Sequence, residues 1–182
     1  MLGQRFSRWI LRLFGWTVAN YPEPQPPKLI IAVVPHTSNW DFPIGLLTRR
    51  AVGVDIKFLG KHSLFIPPFG WLFRWLGGYP VDRRKRTNLV DSVVDIFNQH
   101  DEFVISIAPE GTRKKVDALR TGFYYIARKA GIPILLCSFN YQIRTVLFGP
   151  LFYPGPDPEK DLKEISDYFR GIPGKYPEKS FT

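Results

Sequence analysis

Short apolar runs alternate with segments of helical periodicity along most of the chain. The run LIIAVV, residues 29–34, is apolar throughout, as expected for a strand buried on both faces. Further strands are predicted at residues 55–60, 79–81, 102–109 and 132–141, with one or two more within 142–154. Helical spacing and cap residues predict helices at 41–53, 87–101, 122–131 and 157–170. This alternation predicts an α/β fold with a largely parallel central sheet flanked by helices.

The N-terminal segment is predicted to be an amphipathic helix over residues 1–20. At 100° per residue, Arg5, Arg8 and Arg12 fall within an arc of about 60°. The opposite side carries large apolar residues, namely Phe6, Ile10, Leu13, Phe14 and Val18. An arginine face opposite an apolar face is typical of a helix lying on an anionic membrane surface; the alternative is a helix packed on the protein's own core.

A proline-rich linker over residues 21–28 is predicted to separate this helix from one domain over residues 29–182. A chain of 182 residues is long enough to bury a substantial core in a single domain. No segment reaches the roughly 18 uncharged apolar residues of a spanning helix.

Net charge and cysteine content limit the classes of binding partner and the kinds of disulfide or metal site that we expect. The formal net charge of +9 favours an anionic partner: nucleic acid, an anionic membrane surface or a phosphate-bearing substrate. Cys137 is the only cysteine, so an intrachain disulfide is excluded and a reducing compartment is expected. The sequence offers no cysteine cluster and no i, i+4 pair of histidines, and no metal site is expected.

Three polar clusters follow three of the predicted strands. His36 follows the first strand, Arg83 follows the strand at 79–81, and Glu110 follows the strand at 102–109. Since the carboxyl ends of parallel strands form the ligand-binding edge of such a sheet, we expect these clusters to converge.

Each cluster admits a functional and a structural interpretation. His36 and Asp41 form either a proton-moving pair or simply a strand end followed by a helix cap. The stretch PEGTRKK, residues 109–115, suits a tight loop with backbone N–H groups facing a ligand, and Arg113 offers a fork for phosphate oxygens. The alternative is a basic surface turn. The basic run in GGYPVDRRKR, residues 77–86, is more typical of a solvated face, with one or two residues touching ligand.

Taken in order, these motifs resemble the glycerolipid acyltransferases typified by lysophosphatidic acid acyltransferase. The resemblance rests on HTSNWD, GGYPVDR, PEGTR and IPILLC, which match the family's four blocks in order and spacing. The sequence departs from the family pattern at Lys114, where serine is usual, and at Leu136, where a second proline is usual.

The resemblance implies transfer of a fatty acyl group from acyl-CoA or acyl carrier protein to a lysophospholipid hydroxyl, with lysophosphatidic acid as the expected acceptor. It implies His36 as the general base and Asp41 as the residue that orients it. The acceptor-binding residues carried over are Arg83, Glu110, Gly111, Thr112 and Arg113. No cofactor and no nucleic acid are expected, and the protein is expected to be cytoplasmic and peripheral on the inner face of the cell membrane.

Two alternatives stay open at this point. One is a relative with a different acceptor, such as another lysolipid or a lipid amine, and the other is a non-catalytic basic module that binds membrane or nucleic acid. The aromatic segment at residues 64–78 is, structurally, either core or a self-packed loop. Because such substrates carry apolar tails, the functional alternative is an acyl-chain groove or a membrane-dipping surface.

Overall fold

The structure, a computed structural model, describes residues 2–81 and 86–181. Within these ranges the chain forms seven strands: β1 (Thr17–Ala19), β2 (Lys28–Val33), β3 (Ile56–Lys61), β4 (Gly78–Val81), β5 (Phe103–Ile107), β6 (Ile134–Asn140) and β7 (Thr145–Phe152). The same ranges contain six α-helices: α1 (Leu2–Leu13), α2 (Asp41–Val52), α3 (Gly70–Trp75), α4 (Arg86–Asn98), α5 (Gly122–Ala130) and α6 (Pro158–Phe169). Short 3-10 helices lie at His62–Phe65 and Pro177–Lys179.

The strands form one sheet in the order β1-β7-β6-β2-β5-β3-β4. The five strands from β6 to β4 are mutually parallel, while β7 runs antiparallel to β6 and β1 pairs in parallel with β7. The predicted α/β fold with a largely parallel sheet is therefore confirmed. The carboxyl ends of β2, β4, β5 and β6 lie at one edge, which we call the carboxyl edge.

Apolar side chains cover both faces of the sheet. Alternate residues of β2 point to opposite sides: Ile30 and Ala32 join a core formed with α4, α5 and α6, whereas Leu29 and Ile31 join a core formed with α1 and α2. This arrangement explains why residues 29–33 of the strand are all apolar, rather than every second one.

The N-terminal helix is shorter than predicted, because α1 ends at Leu13 and residues 17–19 add the edge strand β1. Gly15 takes a left-handed φ of +73°, a conformation that stops a helix and that favours glycine. The β-branched Thr17 and Val18 then suit a strand.

α1 packs on α2 through a narrow stripe and leaves its large apolar face exposed. Ser7 and Leu11 are buried, and Arg8 Nε donates to the carbonyl oxygen of Ala51 at the C-terminal end of α2. Arg8 therefore anchors α1, a role the helical pattern did not predict. In contrast, Phe6 and Phe14 are exposed. The segment is thus docked on the domain, but not through the apolar face that a core-packed amphipathic helix would use.

The aromatic segment at 64–78 is mostly surface. Phe65 is buried, but Ile66, Phe69, Trp71 and Trp75 are each more than half exposed. The interpretation of this segment as core is therefore wrong for most of its large side chains. No helix within residues 2–81 and 86–181 has the length and apolar character needed to cross a membrane.

Candidate active site

His36 and Asp41 meet in the loop that leads from β2 to α2 at the carboxyl edge. His36 Nδ1 lies 3.0 Å from Asp41 Oδ2, and the two side chains are 23% and 1% exposed. Because an ionised carboxylate can only accept, this contact requires the proton on Nδ1. In the neutral imidazole the other ring nitrogen, Nε2, then carries no proton and can accept one, which is the arrangement a general base needs.

The Asp41 carboxylate has two further donors. Its Oδ2 accepts from the backbone N–H of Ser38 at 2.9 Å, and its Oδ1 accepts from the Tyr141 hydroxyl at 2.6 Å. The predicted capping role is wrong: the helix begins at Asp41, the cap position is Trp40, and no side chain caps the first turn. A negative charge at this helix start is still favoured by the helix dipole.

Glu110 supports His36 from the opposite side. It lies in the loop after β5, is 2% exposed, and its Oε2 accepts from the backbone N–H of His36 at 2.5 Å. The pKa of Glu110 is raised to about 7, chiefly because burial disfavours the charged form; the hydrogen bond from His36 opposes the rise, and the nearby Asp41 charge adds to it. The carboxylate therefore contacts the protein backbone and fixes the position of the loop that carries His36.

The loop glycine is required by backbone geometry. Gly111 has a φ of +64°, and an added Cβ would lie 2.6 Å from Arg120 Nε. Its N–H donates to the carbonyl oxygen of Ala108 at 3.0 Å, so this N–H is already engaged within the turn. The Gly111 N–H is therefore not one of the backbone N–H groups of this loop that are available to face a ligand. The Thr112 hydroxyl accepts from the N–H of Lys114 at 3.3 Å.

A basic cavity of about 280 Å³ lies against the loop that carries His36. It is lined by residues 37–40, Arg113, Tyr176 and Lys179. Two of these side chains are cations and none of the described lining residues is a carboxylate, so the cavity suits an anionic group. Arg113, which the sequence placed near the site, is thus brought beside the His36 loop.

Neither Arg83 nor Cys137 belongs to the described part of the site. Arg83 falls within residues 82–85, which lie outside the described residues. Cys137 is buried inside β6, and burial raises the pKa of its thiol, so it is unsuited to act as a nucleophile. Within the described residues no group of three or more His, Cys, Asp or Glu side chains is arranged to hold a metal ion.

Sequence reasoning missed Tyr141, Tyr176 and Lys179. Tyr141 directly follows β6, which pairs in parallel with β2, so the rule that placed His36 and Glu110 at the carboxyl edge also places Tyr141 there. Tyr176 and Lys179 lie in the C-terminal segment, where the N–H of Tyr176 donates to the Thr37 hydroxyl at 3.3 Å. No local pattern marks that segment as part of the site.

Comparison with known proteins places this geometry among acyltransferases. A family model described as Acyltransferase matches residues 17–140. A 1-acyl-sn-glycerol-3-phosphate acyltransferase of Haemophilus influenzae is 34% identical over 152 residues, which cover 75% of this chain and 61% of that protein. The enzyme of the same description from Escherichia coli is 32% identical over 111 residues, covering 58% of this chain and 44% of that protein.

A solved structure has the same fold. The 1-acyl-sn-glycerophosphate (LPA) acyltransferase of Thermotoga maritima superimposes with a TM-score of 0.62 at 19% identity, covering 91% of this chain and 74% of that one. The aligned part of the present chain spans about half the length of the curated relatives it matches.

Because the Glu110 carboxyl is buried, we predict that the wild type and Glu110→Gln differ in stability by an amount that depends on pH. Because its pKa is about 7 in the folded chain against 4.5 ordinarily, the wild type loses stability as pH rises from about 4.5 through 7. Glu110→Gln keeps an oxygen for His36 N–H and has nothing to ionise. We expect the free energy of unfolding of the variant, relative to that of the wild type, to increase by on the order of 2 kcal/mol between about pH 5 and pH 8.

Denaturant unfolding at several pH values measures this difference. The exposed Glu178→Gln is the control, and its difference from the wild type should not vary with pH. A Glu110→Gln difference that is equally independent of pH would contradict the assignment of a raised pKa.

Proposed function

Because the chain belongs to the acyltransferase family, we propose that it transfers a fatty acyl group from a thioester to the hydroxyl of a lysophospholipid, with 1-acyl-sn-glycerol 3-phosphate as acceptor. The observation that carries this proposal is the His36–Asp41 pair beside a cavity lined by Arg113 and Lys179. The pair supplies a base for a hydroxyl, and the cavity supplies cations for a phosphate. The names of the relatives support the same acceptor.

The chemistry needs one base and no nucleophile from the enzyme. Nε2 of His36 takes the proton of the acceptor hydroxyl as its oxygen attacks the thioester carbonyl. Asp41 stabilises the imidazolium that forms and fixes the ring through Nδ1. When the tetrahedral intermediate collapses, the carbon–sulfur bond breaks and the imidazolium returns the proton to the leaving thiolate. An ester and a thiol result, and His36 is restored.

The acceptor phosphate is held on the same side as the base. Arg113 provides a planar guanidinium that can bind two phosphate oxygens at once, and Lys179 adds a second cation. Arg83 joins this site on the strength of the motif resemblance. The donor is a thioester of coenzyme A or of acyl carrier protein; both are anionic and complement the net charge of +9.

Exposed apolar side chains on both sides of α2 fit attachment to an anionic membrane, where a lysophospholipid resides. On one side α1 exposes Phe6, and Phe14 directly after the helix is also exposed. On the other, Arg49 of α2 donates to the carbonyl oxygen of Leu76, next to the segment that exposes Trp71. The exposed Arg5 and Arg12 supply positive charge for lipid headgroups. We therefore propose peripheral attachment to the inner face of the cell membrane.

Removing the base tests the mechanism. His36→Ala should lower kcat for acyl transfer by about 10²–10⁴-fold, because a positioned general base contributes that much. Asp41→Asn should also lower kcat strongly, since the amide cannot stabilise an imidazolium. Steady-state kinetics on folded proteins measures both, with His100→Ala at the C-terminal end of α4 as control. A folded His36→Ala protein with normal turnover would rule out this role.

Replacing the guanidinium tests phosphate recognition. Arg113→Lys keeps the charge but loses the paired geometry, so the acceptor KM should rise by an amount worth about 1–3 kcal/mol while the donor KM changes little. The exposed Lys115→Ala, in the same basic run, is the control and should be nearly silent. Kinetics with lysophosphatidic acid and with an unphosphorylated monoacylglycerol make the comparison. If Arg113→Lys leaves the preference between them unchanged, Arg113 does not bind phosphate.

Single surface substitutions test the membrane face. Leu11 and Trp16 belong to the core, so deleting the N-terminal segment would damage the fold as well as the surface. Phe14→Ser and Trp71→Ser change side chains that are each 69% exposed, and each should weaken sedimentation with vesicles of phosphatidylcholine and phosphatidylglycerol by about tenfold.

Tyr153→Ser is the matched control for these two substitutions. Tyr153 is 67% exposed but follows β7. Because β7 runs antiparallel to β6, it ends at the edge of the sheet opposite the carboxyl edge. Equal vesicle binding by all three variants and the wild type would show that the apolar face does not contact the membrane.

A further inference from the structure

Tyr141 contacts the His36–Asp41 pair directly and lies in none of the four sequence motifs. It follows β6, at the end of the strand next to β2, and its hydroxyl lies 2.6 Å from Asp41 Oδ1. The side chain of Asp41 is almost completely buried. Within the described residues, the hydroxyl of Tyr141 is the donor recorded for Oδ1, while the two other contacts use Oδ2.

The ring of Tyr141 is itself held by distant parts of the chain. Trp16, which follows α1, meets it edge to face with ring centroids 4.8 Å apart. The backbone N–H of Tyr141 donates to the carbonyl oxygen of Pro173 at 3.1 Å. Trp16 is 7% exposed, so this ring contact is part of the packed interior rather than a mobile surface contact. The N-terminal and C-terminal segments thus fix the donor of Asp41.

We propose that Tyr141 is a positioning residue for the His36–Asp41 pair, and that Trp16 sets the place of its ring. The inference rests on the proposed function in one respect, the use of His36 as the base. A hydroxyl on Oδ1 prevents the carboxylate from turning, and it also withdraws part of the negative charge that would otherwise hold a proton on the imidazole. Tyr141 therefore controls both the direction and the basicity of His36.

The charged and titratable groups around the pair come from several elements. Glu110 approaches from the loop after β5, and Tyr176 from the C-terminal segment next to Tyr141. Arg113 lines the cavity beside the His36 loop, and Arg120 packs against Gly111. Burial, with the hydrogen bond to Asp41, raises the pKa of Tyr141, which keeps its hydroxyl protonated as a donor. All of these groups are unchanged by Tyr141→Phe.

The experiment is Tyr141→Phe, read first by the NMR titration of the His36 ring protons. Without the hydroxyl donor, Asp41 holds the imidazolium more strongly, so the midpoint of His36 should move to higher pH by roughly half a unit to one unit. The His36 signal is identified by its absence in His36→Gln. This measurement needs no substrate, so it judges Tyr141 even where the acyl-transfer proposal fails.

The kinetic readout is a fall in kcat by about tenfold or more with little change in the acceptor KM, because a misdirected base slows the reaction without removing a binding contact. The acid limb of the kcat/KM profile should move in the same direction as the NMR midpoint.

Tyr124→Phe is the matched control. Tyr124 donates to the buried Asp161 at 2.7 Å, and Asp161 also accepts from the N–H of Gly155, so the pair repeats the chemistry of Tyr141 and Asp41 far from the dyad. It should lower the melting temperature but leave the His36 midpoint and kcat unchanged. An unmoved His36 midpoint in a folded Tyr141→Phe protein overturns the proposal.

A double-mutant cycle tests Trp16. Trp16→Leu should lower kcat in the wild-type background and have little further effect when Tyr141 is already Phe, because both act through the same hydroxyl. Losses that simply add would show that Trp16 does not act through Tyr141, and would overturn that part of the proposal.

Discussion

The burial of one carboxylate organises this site. A charged Asp41 with a 1% exposed side chain is tolerable only if donors replace water around it. Three donors do so: the Ser38 N–H, the His36 ring and the Tyr141 hydroxyl. They come from the loop after β2 and from the end of β6, so the carboxylate ties two neighbouring strands together. The direction in which His36 points follows from satisfying this charge.

Sheet order explains why the partners of His36 come from both sides. β2 lies between β6 and β5, and all three are parallel, so their carboxyl ends lie side by side. Tyr141 arrives from β6 and acts through Asp41, while Glu110 arrives from β5 and binds the His36 backbone. These three strands are largely buried, while His36 keeps 23% of its side chain exposed. The buried side of the loop that carries His36 therefore contributes to stability, and its exposed side leaves the His36 ring accessible.

The sequence predicted the sheet, the location of the site at the carboxyl edge, and the His36–Asp41 pair. Each of these depends on local pattern plus one rule about parallel strands. Residues 29–34 are apolar at every position, and His36 and Glu110 follow strands. It did not predict β1, which depends on the stop at Gly15, or the roles of Arg8 and Tyr141. Those roles rest on contacts across 43 and 100 residues of chain, which no periodicity records. The exposure of the aromatic segment was likewise undecidable from composition, since core and surface aromatics look alike in sequence.

The most direct measurement is a product analysis with the purified chain, a labelled lysophosphatidic acid and either acyl-CoA or acyl carrier protein thioester. A base-catalysed transfer to a bound hydroxyl predicts phosphatidic acid as product, with one free thiol released for each ester formed. The same assay with an unphosphorylated monoacylglycerol should be much slower, because Arg113 and Lys179 then have no phosphate to hold. Thiol release without an ester product would instead show hydrolysis, and no product from either donor would contradict the proposed acyl transfer to lysophosphatidic acid.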